Sequence, residues 1–359
     1  AYRVVRQVRM PPWWGWFRRG FIDGPASSPS QEIAHGTTQT APDGSFAIEF
    51  RALPDPAVPE KDEPTFVFRV HADVTDAAGE TRSDERAVPL GYTALSARIE
   101  AEEWQVQNAP VALTIRTESI DGTPQTAEGS LKIYALHPPP QVQRPDIFQQ
   151  FRYGPLQEDQ PGPSGADPNQ WPLGSIVSEK GITTDADGRA TWNVSLPAGL
   201  YRALLQTQDR FGKNVTAQFP IRVLDPDSTR LALRIPHLLA LPQSSAEPGD
   251  PFYALWGTGY DQGRALIEIE HRGKILSRRW TPAGQTQARI PVDITENLRG
   301  GLHLHVTQIR ENRAYLDTRF IEVPWTPKHL DIRWEHFTSK LQPGKSETWT
   351  AVLTGPQAE

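Results

Sequence analysis

Asp185-Ala186-Asp187-Gly188 sets two carboxylates two positions apart ahead of a glycine, the way many calcium loops begin. An EF-hand loop also needs an oxygen ligand at its fifth position, glycine at its sixth and glutamate at its twelfth. Counted from Asp185, the sixth position is Ala190 and the twelfth is Leu196. The metal chemistry fails on spacing. What remains is a β-turn whose glycine supplies a positive φ.

Other groups capable of chemistry meet similar limits. His303 and His305 in Leu-His-Leu-His-Val fall on one face of a strand, a spacing that zinc-binding strands use. A third ligand would have to come from elsewhere, for instance His271, and no spacing demands it, so a solvated strand face is expected. The nine histidines form no His-Glu-x-x-His, and neither a Gly-x-Ser-x-Gly elbow nor a glycine-rich phosphate loop occurs. Glu102 and Glu103 are adjacent, so on a strand they point to opposite faces and make poor acid/base partners. No catalytic, cofactor-binding or metal-binding residue is assigned, and the chain is not expected to be an enzyme.

Two further features bear on binding. Pro-Pro-Trp-Trp-Gly-Trp-Phe (Pro11–Phe17) has the rings to stack on sugar or peptide. Packing at an edge or against a neighbouring domain is the expectation. Asn193-Val-Ser195 and Asn214-Val-Thr216 match the glycosylation pattern, which matters only in a eukaryotic source.

The elements that would position these residues read as strands. Among 359 residues there are 34 Pro and 27 Gly, which argues against long helices and for short strands joined by turns. The length allows about two to four domains. Ser45–Leu53 sets Phe46, Ile48 and Phe50 on one face, and Pro110–Ser119 does the same with Val111, Leu113 and Ile115. Ala265–Gly273 presents Ala265, Ile267 and Ile269, and Thr65–Val74 alternates less strictly. Turns are marked by Asp43-Gly44, Asp121-Gly122, Asp187-Gly188 and Arg272-Gly273. Asp293–Gly301 is the best short helical candidate. Pro138–Pro172, rich in Pro, Gly and Gln, is expected to be an extended loop pinned by Phe148, Phe151, Tyr153 and Trp171.

An internal repeat organises the chain. Thr37–Asp55 and Gly181–Gly199 share Thr, an Asp-Gly turn, a strand and Leu-Pro. Phe68–Tyr92 parallels Tyr201–Asp225, each strand, Asp-x-x-Gly turn, strand, and Leu302–Trp325 keeps the final hairpin with Arg310–Arg313 at its tip. The unit is about 100–130 residues, the size of one sandwich domain. Domains are expected at 1–93, 94–226 (with the loop 138–172), 227–325 and 326–359, the first and last incomplete. The opening residues alternate like a strand and carry no signal peptide, so a fragment of a longer protein is expected. A net charge of -6 offers no basic footprint for nucleic acid. No apolar run approaches the roughly 20 residues of a membrane helix. With no cysteine, the chain holds no disulfide, Cys-zinc site or thiol nucleophile.

On this pattern the chain resembles bacterial alpha-2-macroglobulins. The resemblance is carried by Asp73–Ser83 (DVTDAAGETRS), Leu196–Gly212 (LPAGLYRALLQTQDRFG), Phe320–Ile332 (FIEVPWTPKHLDI) and Lys340–Glu359, with its Pro-Gly-x-x-Glu-Thr-Trp, in that order. It implies an all-β fold of tandem macroglobulin or fibronectin III-like antiparallel β-sandwich domains. It also implies a scaffold role in a broad-spectrum protease inhibitor that entraps target endopeptidases once an exposed bait segment is cut. The segment 227–325 resembles the bait-associated domain through Ser244–Gly259 and His271–Trp280. Lys274, Arg278 and Arg279 would suit a trypsin-like protease, but they read as strand-borne, and no bait site is assigned. Many members carry a Cys-x-Glu-Gln thioester, which a chain without cysteine cannot contain. The implied location is periplasmic or extracellular, with any membrane anchor outside these residues. The implied state is a monomer that contacts other domains of its own chain, without cofactors. An array of fibronectin-like adhesion or carbohydrate-binding modules would share the fold, and its tryptophans would then serve ligand stacking.

Overall fold

In Pro110–Ser119 every second side chain is apolar, and Val111, Leu113 and Ile115 are each fully buried. The same period-2 arithmetic builds nearly all of the regular structure, which is all-β and mostly antiparallel. The computed structural model describes residues 1–11, 30–102, 104–144, 165–326 and 330–355. They form two compact units, Ala1–Asp227 with Leu231–Pro236, and Ser228–Arg230 with His237–Glu359.

The first unit opens with one four-stranded sheet. Strands β1 (Tyr2–Arg9), β2 (Ser30–Gly36), β3 (Thr65–Thr75) and β4 (Thr81–Gly91) pair in the order β2-β1-β3-β4. Its apolar face buries Val4, Val8, Phe66 and Phe68, with Phe50, Val58 and Tyr92 packed over them. The strand expected over Ser45–Leu53 does not form a ladder. Phe50 does pack on Phe68, with ring centroids 5.8 Å apart, but the chain beyond it is held by a side chain instead of a neighbouring strand. Arg6 on β1 donates Nη1 to the carbonyls of Leu53 (3.1 Å) and Pro54 (2.8 Å), and Nη2 to Asp55 Oδ2 (2.8 Å). Alternation fixes an extended backbone; it does not supply a partner.

A two-sheet sandwich follows in the same unit. Its strands are β5 (Leu95–Glu100), β6 (Gln105–Val106), β7 (Pro110–Ser119), β8 (Glu128–Leu136), β9 (Leu173–Thr183), β10 (Arg189–Ser195), β11 (Gly199–Gln208) and β12 (Asn214–Leu224). They make sheets β10-β7-β5 and β6-β12-β11-β8-β9. Leu113 and Ile115 from one sheet meet Leu131, Ile133 and Leu205 from the other in a single core. Each such side chain contributes about 1.5–3 kcal/mol relative to exposure. Tyr201 donates its hydroxyl to the Pro197 carbonyl at 2.9 Å, tying the start of β11 to the loop before it. Of the long Pro-rich loop, Trp171 is buried, with Nε1 donating to the Gly165 carbonyl at 2.8 Å. Phe148, Phe151 and Tyr153 lie outside the described residues.

The sandwich and the first sheet are joined by side-chain bonds. Glu63, at φ +48°, accepts from Thr216 N (3.1 and 3.2 Å) and Thr216 Oγ1 (2.7 Å) on β12. Lys213 Nζ stands 2.8 Å from Glu60 Oε1.

In the second unit, β13 (Leu238–Ala240), β14 (Pro251–Gly257), β15 (Ala265–His271), β16 (Lys274–Trp280), β17 (Gln287–Asp293), β18 (Leu302–Arg310) and β19 (Arg313–Ile321) form sheets β13-β14-β17 and β16-β15-β18-β19. They share a core around the fully buried Trp256. Asp293–Gly301 provides one 3-10 turn, Glu296–Leu298, which ends where Arg299 leaves the helical region at ψ 136°. β20 (Asp331–His336) and β21 (Thr350–Thr354) pair as a separate ribbon.

One turn recurs five times. In Ala41–Ser45, Asp76–Glu80, Ser119–Thr123, Asp185–Arg189 and Asp209–Lys213, the first residue's N–H bonds the fifth carbonyl, and the fourth N–H bonds the first carbonyl. The fourth residue is always glycine with positive φ: +84°, +84°, +91°, +66° and +78°. This is a type I turn closed by a G1 bulge. Gly188 differs from its counterparts in its surroundings. A Cβ there would stand 2.1 Å from the Thr117 carbonyl oxygen, whereas one at Gly79 or Gly212 would meet nothing within 4 Å.

Gly212→Ala is therefore expected to cost about 1 kcal/mol, for the left-handed backbone alone. Gly188→Ala should cost at least about twice that, because the turn must also lift off β7. Urea unfolding of both variants checks this, and equal losses would show that the Thr117 contact carries no weight.

Candidate functional site

Asp185 is the first residue of such a turn, and its carboxylate is already engaged. Oδ1 accepts from Asp187 N at 2.9 Å and from Arg189 N at 2.8 Å. Asp76 and Asp209 make the same pair of bonds in their own turns. Where the aspartate stands third, as at Asp43 and Asp121, it accepts from the fifth residue instead. The backbone and side-chain hydrogen bonds of Ser45 hold the Asp43 carboxyl below the usual range. Among the described residues no group of three or more His, Cys, Asp or Glu side chains is placed to hold a metal ion.

The histidines are likewise accounted for. His303 and His305 do share one face of β18, their rings stacked at 6.0 Å. His305 has Nε2 2.9 Å from Glu270 Oε2 and Nδ1 2.9 Å from Thr318 Oγ1. His303 packs on Phe320, and His271 Nδ1 lies 2.7 Å from the Gly301 carbonyl, so the three do not converge. Lys274, Arg278 and Arg279 stand on the exposed edge strand β16, with Arg278 2.7 Å from Glu268 and Arg279 donating to the Pro291 carbonyl. Asn193 is exposed on β10, and Asn214 Oδ1 accepts from Gln208 Nε2 at 3.2 Å. Glu103 and all of Pro11–Phe17 beyond Pro11 lie outside the described residues.

One concavity lies where the Asp185–Arg189 turn meets β7. It measures about 460 Å³ and is lined by Arg116, Arg189, Asp187, Gly188, Gly122 and Pro124, among others. Its position follows from register. Arg98 on β5, Arg116 on β7 and Arg189 on β10 are direct cross-strand partners, so three guanidinium groups occupy one rung of the outer face. Glu100 and Glu118 neutralise only part of it. Arg98 Nε meets Glu100 Oε1, Arg98 Nη1 meets Glu118 Oε1 and Arg116 Nε meets Glu100 Oε2, each at 2.9 Å. The floor is fixed from below, where Thr117 Oγ1 bonds Thr184 Oγ1 at 2.7 Å and the Gln125 carbonyl at 2.5 Å.

Sequence reasoning missed this rung because each arginine alone reads as ordinary surface charge. It also missed a buried polar network in the second unit. There His237 stacks on Tyr315 at 5.8 Å and its Nδ1 lies 3.1 Å from Gln308 Oε1, while Gln308 Nε2 donates to Thr258 Oγ1. The Tyr260 and Tyr315 hydroxyls are 3.3 Å apart, and burial, followed by the Tyr315 bond, pushes the Tyr260 hydroxyl well above its ordinary pKa.

Asp209 combines the turn with a longer reach. Beyond its two turn bonds, Oδ2 accepts from Ala94 N at 2.8 Å, across 115 residues of chain. Burial acts to raise its carboxyl, but the N–H groups of Ala94, Lys213 and Phe211 outweigh it and hold the group below the usual aspartate range. A lowered folded pKa means the stabilisation is present above the unfolded value, near pH ~4, and is lost as the pH falls through the folded value. Asp209→Ala should cost about 1–3 kcal/mol at neutral pH, since three N–H groups lose their acceptor. Asp185→Ala should cost less, and the Asp209 deficit should shrink in acid. Urea titrations at pH 7 and pH 3 measure both.

No protein-family model and no curated protein matches the sequence. Among solved structures, the chain is similar to the native conformation of Escherichia coli alpha-2-macroglobulin, at 13% identity over 100% of this chain and 23% of that chain, with a TM-score of 0.33. It is similar to Salmonella alpha-2-macroglobulin reacted with methylamine, at 13% identity over 98% of this chain and 23% of that one, TM-score 0.32. It is also similar to a tetra-tandem repeat in the extending region of a large adhesion protein, at 14% identity over 93% and 70%, TM-score 0.22. The chain thus spans 23% of the length of these two macroglobulins. Its structural neighbours include bacterial alpha-2-macroglobulins, at low identity and low TM-score.

Proposed function

We propose that this chain is a scaffold segment of a macroglobulin-type protein that entraps endopeptidases. One observation carries the reading: the strand, Asp-x-x-Gly turn, strand hairpin recurs at β3–β4 and β11–β12, where two of the macroglobulin-like stretches, Asp73–Ser83 and Leu196–Gly212, fall. In this reading the sandwiches hold the shape of a shell and do no chemistry themselves. The target protease is met by the whole protein, and this segment contacts other domains of the same polypeptide. With no cysteine among its residues, any covalent capture belongs elsewhere in that protein, or capture is by enclosure alone. The protein works outside the cytoplasm, as a monomer.

A second reading, an adhesion or carbohydrate-binding array, is favoured by an exposed aromatic cluster on the β20–β21 ribbon. Trp334, Phe337 and Trp349 lie with ring centroids 5.3–6.4 Å apart, each about half exposed. Such rings stack readily on a sugar face.

The test uses the longest native polypeptide that contains this chain, incubated with trypsin-like and elastase-like proteases. Entrapment blocks cleavage of a large protein substrate while leaving a small peptide substrate hydrolysed at near the free-enzyme rate. Equal activity on both substrates would sink the inhibitor reading. Glycan binding that disappears in Trp334→Ala would install the adhesion reading in its place.

A further inference from the structure

We propose that a cavity beside the start of β11, between Trp171 and Arg234, binds a small aliphatic carboxylic acid, with the hydrocarbon inside and the carboxylate on the Arg234 guanidinium. The cavity measures about 160 Å³ and lies wholly within the first unit. Its residues come from the end of β8, the Trp171 end of the Pro-rich loop, the start of β11 and the segment Leu231–Pro236. That segment alternates as a strand does without joining a sheet. Leu231, Leu233 and Ile235 are buried, while Ala232 and Arg234 between them are exposed.

The interior is apolar because the polar atoms of its aromatic side chains are used elsewhere. Trp171 and Tyr201 both line it, yet Trp171 Nε1 donates to the Gly165 carbonyl at 2.8 Å and the Tyr201 hydroxyl to the Pro197 carbonyl at 2.9 Å. Those two bonds also keep the rings from swinging in to fill the space. Leu136, Leu200 and Leu233 complete the wall, and all three are buried. A space of this size takes one group of about six carbons, since an apolar cavity of about 150 Å³ holds benzene.

The charge at the mouth is of one sign. Arg234 is the one charged side chain among the described residues that line the cavity, and no Asp or Glu shares the lining. Its guanidinium makes no ion pair or hydrogen bond with any described residue. A free fork of donors beside an apolar cup selects a ligand with hydrocarbon at one end and a carboxylate at the other. A purely apolar ligand would gain nothing from the guanidinium. A sugar would bring hydroxyls to walls whose side chains offer no partner. The cavity admits a single such group, which favours a free acid over a protein partner, whose contact would need many more side chains.

Isocaproate, titrated against the full chain and followed by NMR at the Trp171 indole N–H, tests the assignment. The Trp171 signal, identified by its loss in Trp171→Phe, should shift saturably with a Kd of about 1 mM or tighter. Isocaproamide should bind about tenfold more weakly, and added salt should weaken the acid alone. Arg234→Gln should lose about tenfold for the acid and nothing for the amide, with an unchanged melting temperature, because that side chain makes no contact the fold needs. Absence of a saturable shift, equal binding of acid and amide, or full affinity in Arg234→Gln would overturn the site. A tripeptide ending in Leu that bound more tightly than isocaproate would overturn the free-acid assignment in favour of a protein C-terminus.

Discussion

An unpaired N–H at the end of a hairpin has to find an acceptor, and here the acceptor is, again and again, the side chain of an aspartate or serine in the turn itself. This bond has consequences well beyond the loop. A strand pair that slips by one residue turns its buried face out to solvent, so whatever fixes the turn fixes the core. In Asp209–Lys213 the carboxylate holds the loop, and the ladder that follows runs without a break from Gln208↔Asn214 to Gly199↔Val223. The burial of Ala203, Leu205, Val215 and Ala217 depends on that register.

Much of this is visible in the amino-acid sequence, for a physical reason. Strands buried on one side must alternate, so Val111, Leu113 and Ile115, or Ala265, Ile267 and Ile269, declare their own inner face. Many turns that need a positive φ declare themselves through glycine, whereas the Arg310–Arg313 turn takes it at Glu311 and Asn312. The unity of the five turns was harder to see, because their first residue varies among Ala, Asp and Ser, and only hydrogen-bond geometry shows that Asp43-Gly44 and Asp209-Arg-Phe-Gly212 belong to the same loop. Ser45–Leu53 shows the opposite limit. Its alternation is as clean as that of β7, yet Arg6 takes the carbonyls at its end and no ladder forms.

The polar constellations were not legible, because every one is assembled across long stretches of chain. Asp209 and Ala94 are 115 residues apart, and His237 and Gln308 are 71. The arginine rung joins residues 98, 116 and 189 only through two strand registers. In such cases the chemistry resides in the pairing and not in any local motif. The calcium-like Asp185-Ala-Asp-Gly188 is the converse: a local motif with a suggestive pattern, whose Asp185 Oδ1 is spent on its own backbone.

The bonds linking the first sheet to the sandwich have a mechanical meaning. Glu63 grips Thr216, Glu60 grips Lys213, and Asp209 holds the N–H of Ala94 within the short connection between β4 and β5. All three converge on the β11–β12 hairpin. A connection of so few residues would ordinarily be a swivel, but one that is fastened to the same hairpin from both sides cannot turn without breaking all three bonds together. Load placed on the first sheet is therefore shared among them and handed to β12, a strand anchored along its whole length to β11. Turning the first sheet against the sandwich therefore costs these bonds as well as the strain of the short connection.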